Sequence, residues 1–219
     1  MKGDPIVTNI LSMQIIPNAD SGLLKELGAG PGDRSLGIIS TDSDDVSYIA
    51  LDEATKQADV RVLYARSMYA GAKNASTKLA GEFIGILSAP GPSDARSGLE
   101  AAERCVKYGA SFFSANDEGS VYYLAHCVSQ SGTYLSKLTG LEPGAPIAYL
   151  IAPPPEAIAG IDAALKAAKV RIVLFYGPPT ETNFAGALLS GDQAACKAAC
   201  EAFAESVCDT AARPLRMDK

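Results

Sequence analysis

Three aspartates crowd into the stretch "STDSDD" at residues 40–45: Asp42, Asp44 and Asp45. Carboxylates this close suit one of two tasks. They accept the free N–H groups at the start of a helix, or they hold a small cation. Glu82 adds a carboxylate at the head of "GEFIGI", where the second half of the chain carries Ala187. Phe112 offers a ring face of the kind that attracts an ammonium group. The aspartate cluster, Glu82 and the Phe112 ring could thus serve a small cation, with helix capping the competing role for the aspartates.

The other reactive side chains point away from catalysis. His126 and Cys127 are adjacent, and the chain has a single histidine. Read as part of a helix, neighbours do not face each other, so the pair lacks the geometry of a nucleophile and its base. Cys196 and Cys200 stand one helical turn apart, a spacing that suits a metal. They share a stripe with Phe203 and Val207, which makes them small core residues instead. There is no CxxC, P-loop, GxGxxG or GxSxG motif. No catalytic residue, metal or cofactor is expected, and an enzyme of any class is disfavoured.

The elements that position these residues are written twice. "ALDEATKQADVRVLYA" begins at Ala50 and "GIDAALKAAKVRIVLF" at Gly160. Asp52, Lys56 and Arg61 fall on Asp162, Lys166 and Arg171 when one is slid onto the other. Each half reads β–α–β–α–β–β–α. In the first, residues 6–16 form a strand closed by Pro17-Asn18, and "SGLLKELG" a short helix ended by Gly28. "SLGIIS" is a buried strand, and a helix follows "TDSDD" to about Ala58. "VRVLYA" and "GEFIGILS" are strands, and a helix striped by Ala95, Leu99, Ala102 and Val106 ends at Gly109. In the second half, "SFFSAN" is a strand, "SVYYLAHCVSQSGTYLSKL" a helix and "IAYLIA" a strand. A proline-led helix, two strands and a helix capped by Asp192 complete it. This predicts an α+β chain of two domains, 1–109 and 110–219, each an antiparallel sheet with helices packed on it. Asp52→Lys56 and Asp162→Lys166 are expected as acid-first i,i+4 ion pairs.

Composition narrows the class. The chain of 219 residues is long enough for two cores and carries a net charge of −6 without a basic block. Neither nucleic acid nor a membrane surface is an expected partner. The N-terminus makes a poor signal peptide, and no apolar run is long enough to span a bilayer. Five cysteines without framework spacing suggest reduced thiols in a cytosol.

"GIDAALKAAKVRIV" followed by "GALLSGDQAACKAACEAF" resembles the bacterial microcompartment shell domain. The first half is similar but more diverged, in "LDEATKQADVRV" and "AGEFIGILSAPGPSDARSGLEAAERC". A strand and helix stand before "SLGIIS" that in the ordinary shell domain come last, so the two tandem domains look circularly permuted. "RSLGIISTDSDDVSYIALDEATKQA" and "SMYAGA" further resemble the ethanolamine-utilisation branch of that family. The resemblance implies a homotrimer that imitates a hexagonal tile and packs with other shell proteins. The tile would lie in a microcompartment shell within the cytoplasm.

The resemblance also assigns roles. Lys56 and Lys166 fall at the tile edge, while Asn18 stands where single-domain members usually carry an arginine. Asp44, Glu82 and Phe112 would line small pores that contact ethanolamine. The loops at 69–77 and 176–186, with Gly71 and Gly177, would gate a wider channel on the trimer axis, with cobalamin as a large cofactor in transit. A trimeric metabolite sensor without a shell role is the alternative.

Overall fold

The computed structural model of the chain describes residues 1–67, 83–178, 180 and 183–215. The elements of the first half are β1 (Pro5–Ile6), β2 (Ile10–Ile16), α1 (Ser21–Glu26), β3 (Ser35–Thr41), α2 (Asp44–Gln57), β4 (Arg61–Ser67), β5 (Phe83–Ala89) and α3 (Pro92–Tyr108). The second half has β6 (Phe112–Ser114), β7 (Tyr122–Val128), α4 (Thr133–Thr139), β8 (Ile147–Ala152), α5 (Pro154–Ala167), β9 (Arg171–Tyr176), β10 (Ala185–Ser190) and α6 (Gln193–Ala212). No helix among the described residues is long and apolar enough to cross a membrane.

These elements form two compact units. The N-unit comprises Thr8–Ala110 and Ser131–Leu138; the C-unit comprises Met1–Val7, Ser111–Gln130 and Thr139–Lys219. The expected halves 1–109 and 110–219 therefore each give up one segment to the other unit. The single strand expected over residues 6–16 is divided by the same exchange. β1 pairs with β6 in the C-unit, Ile6 opposite Phe112, whereas β2 pairs with β3 in the N-unit.

The duplication is visible in the topology. The N-unit sheet runs β2-β3-β5-β4, and the C-unit sheet contains β7-β8-β10-β9 in the matching order, extended by β1 and β6. All pairings are antiparallel. In the N-unit, α2 and α3 pack together and on the sheet, and in the C-unit α5 and α6 do the same. The predicted stripe Ala95, Leu99, Ala102 and Val106 is buried, as is Cys196, Ala199, Cys200, Phe203 and Val207 on α6. Burying a Leu or Phe side chain of this kind contributes about 1.5–3 kcal/mol.

Local signals set most element ends. Asp20 accepts from Gly22 N and Leu23 N at the head of α1, and Gly28 follows that helix at φ +74°, a left-handed turn that favours glycine. Asn18 closes β2 at φ 49°. Asp192 caps α6, accepting from Ala195 N at 2.7 Å. Prolines open α3 and α5, where a first-turn N–H has no partner to lose.

The helix expected over residues 120–138 is a correction. Tyr122–Val128 is strand β7, and only Thr133–Thr139 is helical. Val121, Tyr123, Ala125 and Cys127 pack on the C-unit core, a period of two rather than 3.6. Leu124 and Val128, on the other face, are buried as well. With both faces apolar, the alternation that marks a strand is hidden, and short runs of this sort are ambiguous from sequence.

Candidate functional site

The site is assembled around the head of α2. Thr41, the last residue of β3, lies opposite Phe83 of β5, and Phe83 lies opposite Ser67 of β4. This cross-strand row sits where the chain turns from β3 into α2. Asp42 does not cap the helix. Its carboxylate accepts from Asn9 N and Asn9 Nδ2, both at 2.7 Å, which ties the turn to the residue before β2. Ser43 occupies the N-cap position without a side-chain capping bond. Its carbonyl instead accepts from Thr41 Oγ1 at 3.0 Å and Ser47 Oγ at 2.7 Å. The capping role weighed for the three aspartates is thus replaced by first-turn placement of Asp44 and Asp45, where helix polarity favours a negative charge.

Asp44 is 5% exposed, and its Oδ1 accepts from Asp45 N at 2.8 Å. Burial pushes its carboxyl up to about 6, against the opposing pull of the Asp45 N–H. A carboxylate kept from water is costly alone and gains from a cation brought beside it. Phe83, fully buried, packs edge-on against Tyr48 with ring centroids 5.1 Å apart and planes at 85°.

Of the other candidates, Phe112 belongs to the C-unit and Asp44 to the N-unit. Phe112 is buried on β6, and its ring lies 5.8 Å from that of Phe184 at 56°. Glu82 and Gly71 lie outside the described residues. Gly177 follows β9 and is exposed. A Cβ there would meet only Phe175, at 3.7 Å, so the observed backbone does not demand glycine. Beyond it, Thr180 N donates to Phe184 O at 2.9 Å, and Asn183 N to Thr180 O at 3.0 Å.

The repeated lysines have diverged. Lys166 bonds Asp162 at 2.6 Å, the expected i,i+4 pair, and both side chains are exposed. Lys56 instead pairs with Glu53, three residues back. Asp52 has been diverted: its carboxylate, 1% exposed, accepts from Gly132 N at 2.7 Å and Leu135 N at 2.8 Å. Thr55 Oγ1 accepts from Thr133 N at 3.0 Å. Together they bind N–H groups at the head of α4 that have no partner within that helix. The repeat hid this role, because Asp52 reads from sequence as half of a surface ion pair.

His126 and Cys127 lie on β7, so their side chains leave opposite faces of the sheet. They form no catalytic pair, and the reason is strand geometry rather than the helical one expected. Burial raises the thiols of Cys127, Cys196 and Cys200, which keeps them protonated and unreactive. Among the described residues no group of three or more His, Cys, Asp or Glu side chains could hold a metal ion. A surface groove of about 510 Å³ runs between α5 and α6, lined by Ala163, Lys166, Ala202 and Glu205 among others.

Comparison with known proteins agrees with this architecture. A family model described as a BMC domain matches residues 35–116. It begins at β3, so β2 and α1 stand ahead of it, as a circularly permuted domain requires. The bacterial microcompartment shell protein EutL of Clostridium perfringens is 58% identical over 215 residues, 98% of this chain and 99% of that one. The crystal structure of the ethanolamine utilization protein EutL from Leptotrichia buccalis matches with a TM-score of 0.94 at 58% identity, covering 99% of this chain and 100% of that one. A trimeric bacterial microcompartment shell protein, PduB, shares the fold at a TM-score of 0.74 and 19% identity, over 93% of this chain and 89% of that one. From its two like sheets to nearly its full length, the chain belongs to the EutL family of bacterial microcompartment shell proteins, the shell proteins of ethanolamine utilisation.

Proposed function

We propose that this chain forms a homotrimeric, pseudohexagonal tile in the microcompartment shell, within the cytoplasm, and that its small pores bind and pass ethanolamine. Asp44 and Glu82 supply negative charge for the ammonium group, and Phe112 a ring face. The observation that carries the pore reading is the Asp44 carboxyl, buried in the first turn of α2, where burial pushes it up to about 6. A buried acid so poised is stabilised in its charged form by an arriving cation. Ethanolamine is a cation at neutral pH and small enough to need only a narrow passage.

The tile has no chemistry of its own in this reading, and its work is selective passage. Lys56 and Lys166 lie at its edges, against neighbouring tiles and other shell proteins. A long aliphatic stem with a charged tip suits an edge that covers apolar surface and still meets water. The loops at 69–77 and 176–186, with Gly71 and Gly177, gate a wider channel on the trimer axis, through which cobalamin passes.

Calorimetric titration of ethanolamine into the unaltered protein, Asp44→Ala and Glu82→Ala tests the pore. Each substitution should weaken binding by tenfold or more. Equal affinity in all three would remove these carboxylates from the site.

A further inference from the structure

Four residues of α2 fall at i, i+4, i+8 and i+11 and so share one face of the helix: Asp44, Tyr48, Asp52 and Thr55. Asp44 is the candidate cation ligand. The lower end of the face is covered by Ser131–Leu138, a segment of the second half of the sequence that belongs to the N-unit. Asp52 and Thr55 hold its Gly132, Thr133 and Leu135 N–H groups at 2.7, 3.0 and 2.8 Å. Between the anchor and Asp44 lies Tyr48. The Tyr134 ring of the segment stacks on it, with centroids 6.2 Å apart and planes 18° from parallel. Tyr48 in turn meets Phe83 edge-on, and it stands one helical turn from Asp44 on the same face of α2.

We infer that residues 131–138 are a positioning strap for the Asp44 site, with Tyr134 as the residue that fixes it. The inference rests on the reading of Asp44 as an ethanolamine ligand. Tyr134 touches no ligand. It holds the Tyr48 ring, which lies next to Asp44 along the same face of α2. Stacked and edge-on ring pairs contribute orientation beyond the area they bury. A pore residue written in the first half is thereby set by a segment written in the second. The fusion of the halves then serves the pore as well as the tile outline.

The test is titration of ethanolamine hydrochloride into the full-length protein and four variants, Tyr134→Ala, Tyr134→Phe, Tyr134→Leu and Asp44→Asn, at several pH values. Tyr134→Ala should bind at least fivefold more weakly. The pH at which affinity is half lost should move down toward the ordinary carboxylate range, because water reaches Asp44. Tyr134→Phe keeps the stack and should stay within twofold of the unaltered protein with the same midpoint. A strap that merely stabilised the fold would leave that midpoint where it was. Should Tyr134→Ala fail to fold, Tyr134→Leu fills the volume without a flat ring and should show the same downward midpoint. Loss of binding in Asp44→Asn, with unaltered affinity and midpoint in Tyr134→Ala or Tyr134→Leu, would overturn the strap and leave the site reading standing. Unaltered affinity in Asp44→Asn would overturn the site reading and the strap with it.

Discussion

A carboxylate in the first turn of a helix ordinarily gains from the helix end and titrates low. Asp44 has that position, and its carboxyl is nonetheless pushed up to about 6 because burial outweighs the N–H group that it accepts from. The sign of the consequence follows from linkage. Its folded pKa lies above the ordinary 3.8, so its contribution to stability is fully present below that value and lost as pH rises through about 6. Ligand binding runs the other way. An ammonium group favours the charged form, so affinity for ethanolamine should hold above pH 7 and fall through 6, to about tenfold weaker at pH 5. Titrations in buffers of different ionisation enthalpy would also register proton release near pH 6. Affinity constant between pH 5 and 7.5 would mean that Asp44 does not face the ligand.

At the scale of elements, the join between α2 and α4 is tighter than either helix alone explains. A Cβ on Gly132 would lie 2.3 Å from Thr55 Oγ1 and 2.5 Å from the Asp52 carbonyl oxygen. Backbone on one side leaves no room to give. Gly132→Ala should therefore lower stability by roughly 2 kcal/mol through overpacking, read from the urea midpoint. An alanine tolerated without loss would mean that the strap does not sit down on α2.

How legible such joints are depends on range. The cap at Asp192 was readable because the cap and the group that it binds are neighbours in sequence. The stripes of α3 and α6 were readable because a helix repeats its buried face every turn. The role of Asp52 was not, since its partners at Gly132 and Leu135 lie 80 and 83 residues away. β7 was misread because the sheet buries both of its faces. Of the candidate site, the acidic head of α2 was visible as a cluster of charge. That all three aspartates would be buried, and that Asp42 would tie down Asn9, depended on how the turn into α2 packs on the sheet.

At the scale of the molecule, two sheets of like strand order in one chain would give the proposed trimer six comparable domains. The divergence between halves fits distinct tasks. Lys166 stays on an exposed helix face, paired with Asp162 one turn back, whereas Asp52 holds the exchanged segment and Lys56 pairs with Glu53. Exposed apolar residues on β9, Ile172 and Phe175, add surface that one chain leaves uncovered. The proposal that such a chain is a tile stands or falls on assembly. Electron microscopy of the purified protein, beside a Lys166→Ala variant, decides it. The account predicts flat layers of hexagonally packed trimers, with fewer or smaller layers for the variant. Dispersed particles at all protein concentrations, or layers without three-fold units, would contradict it.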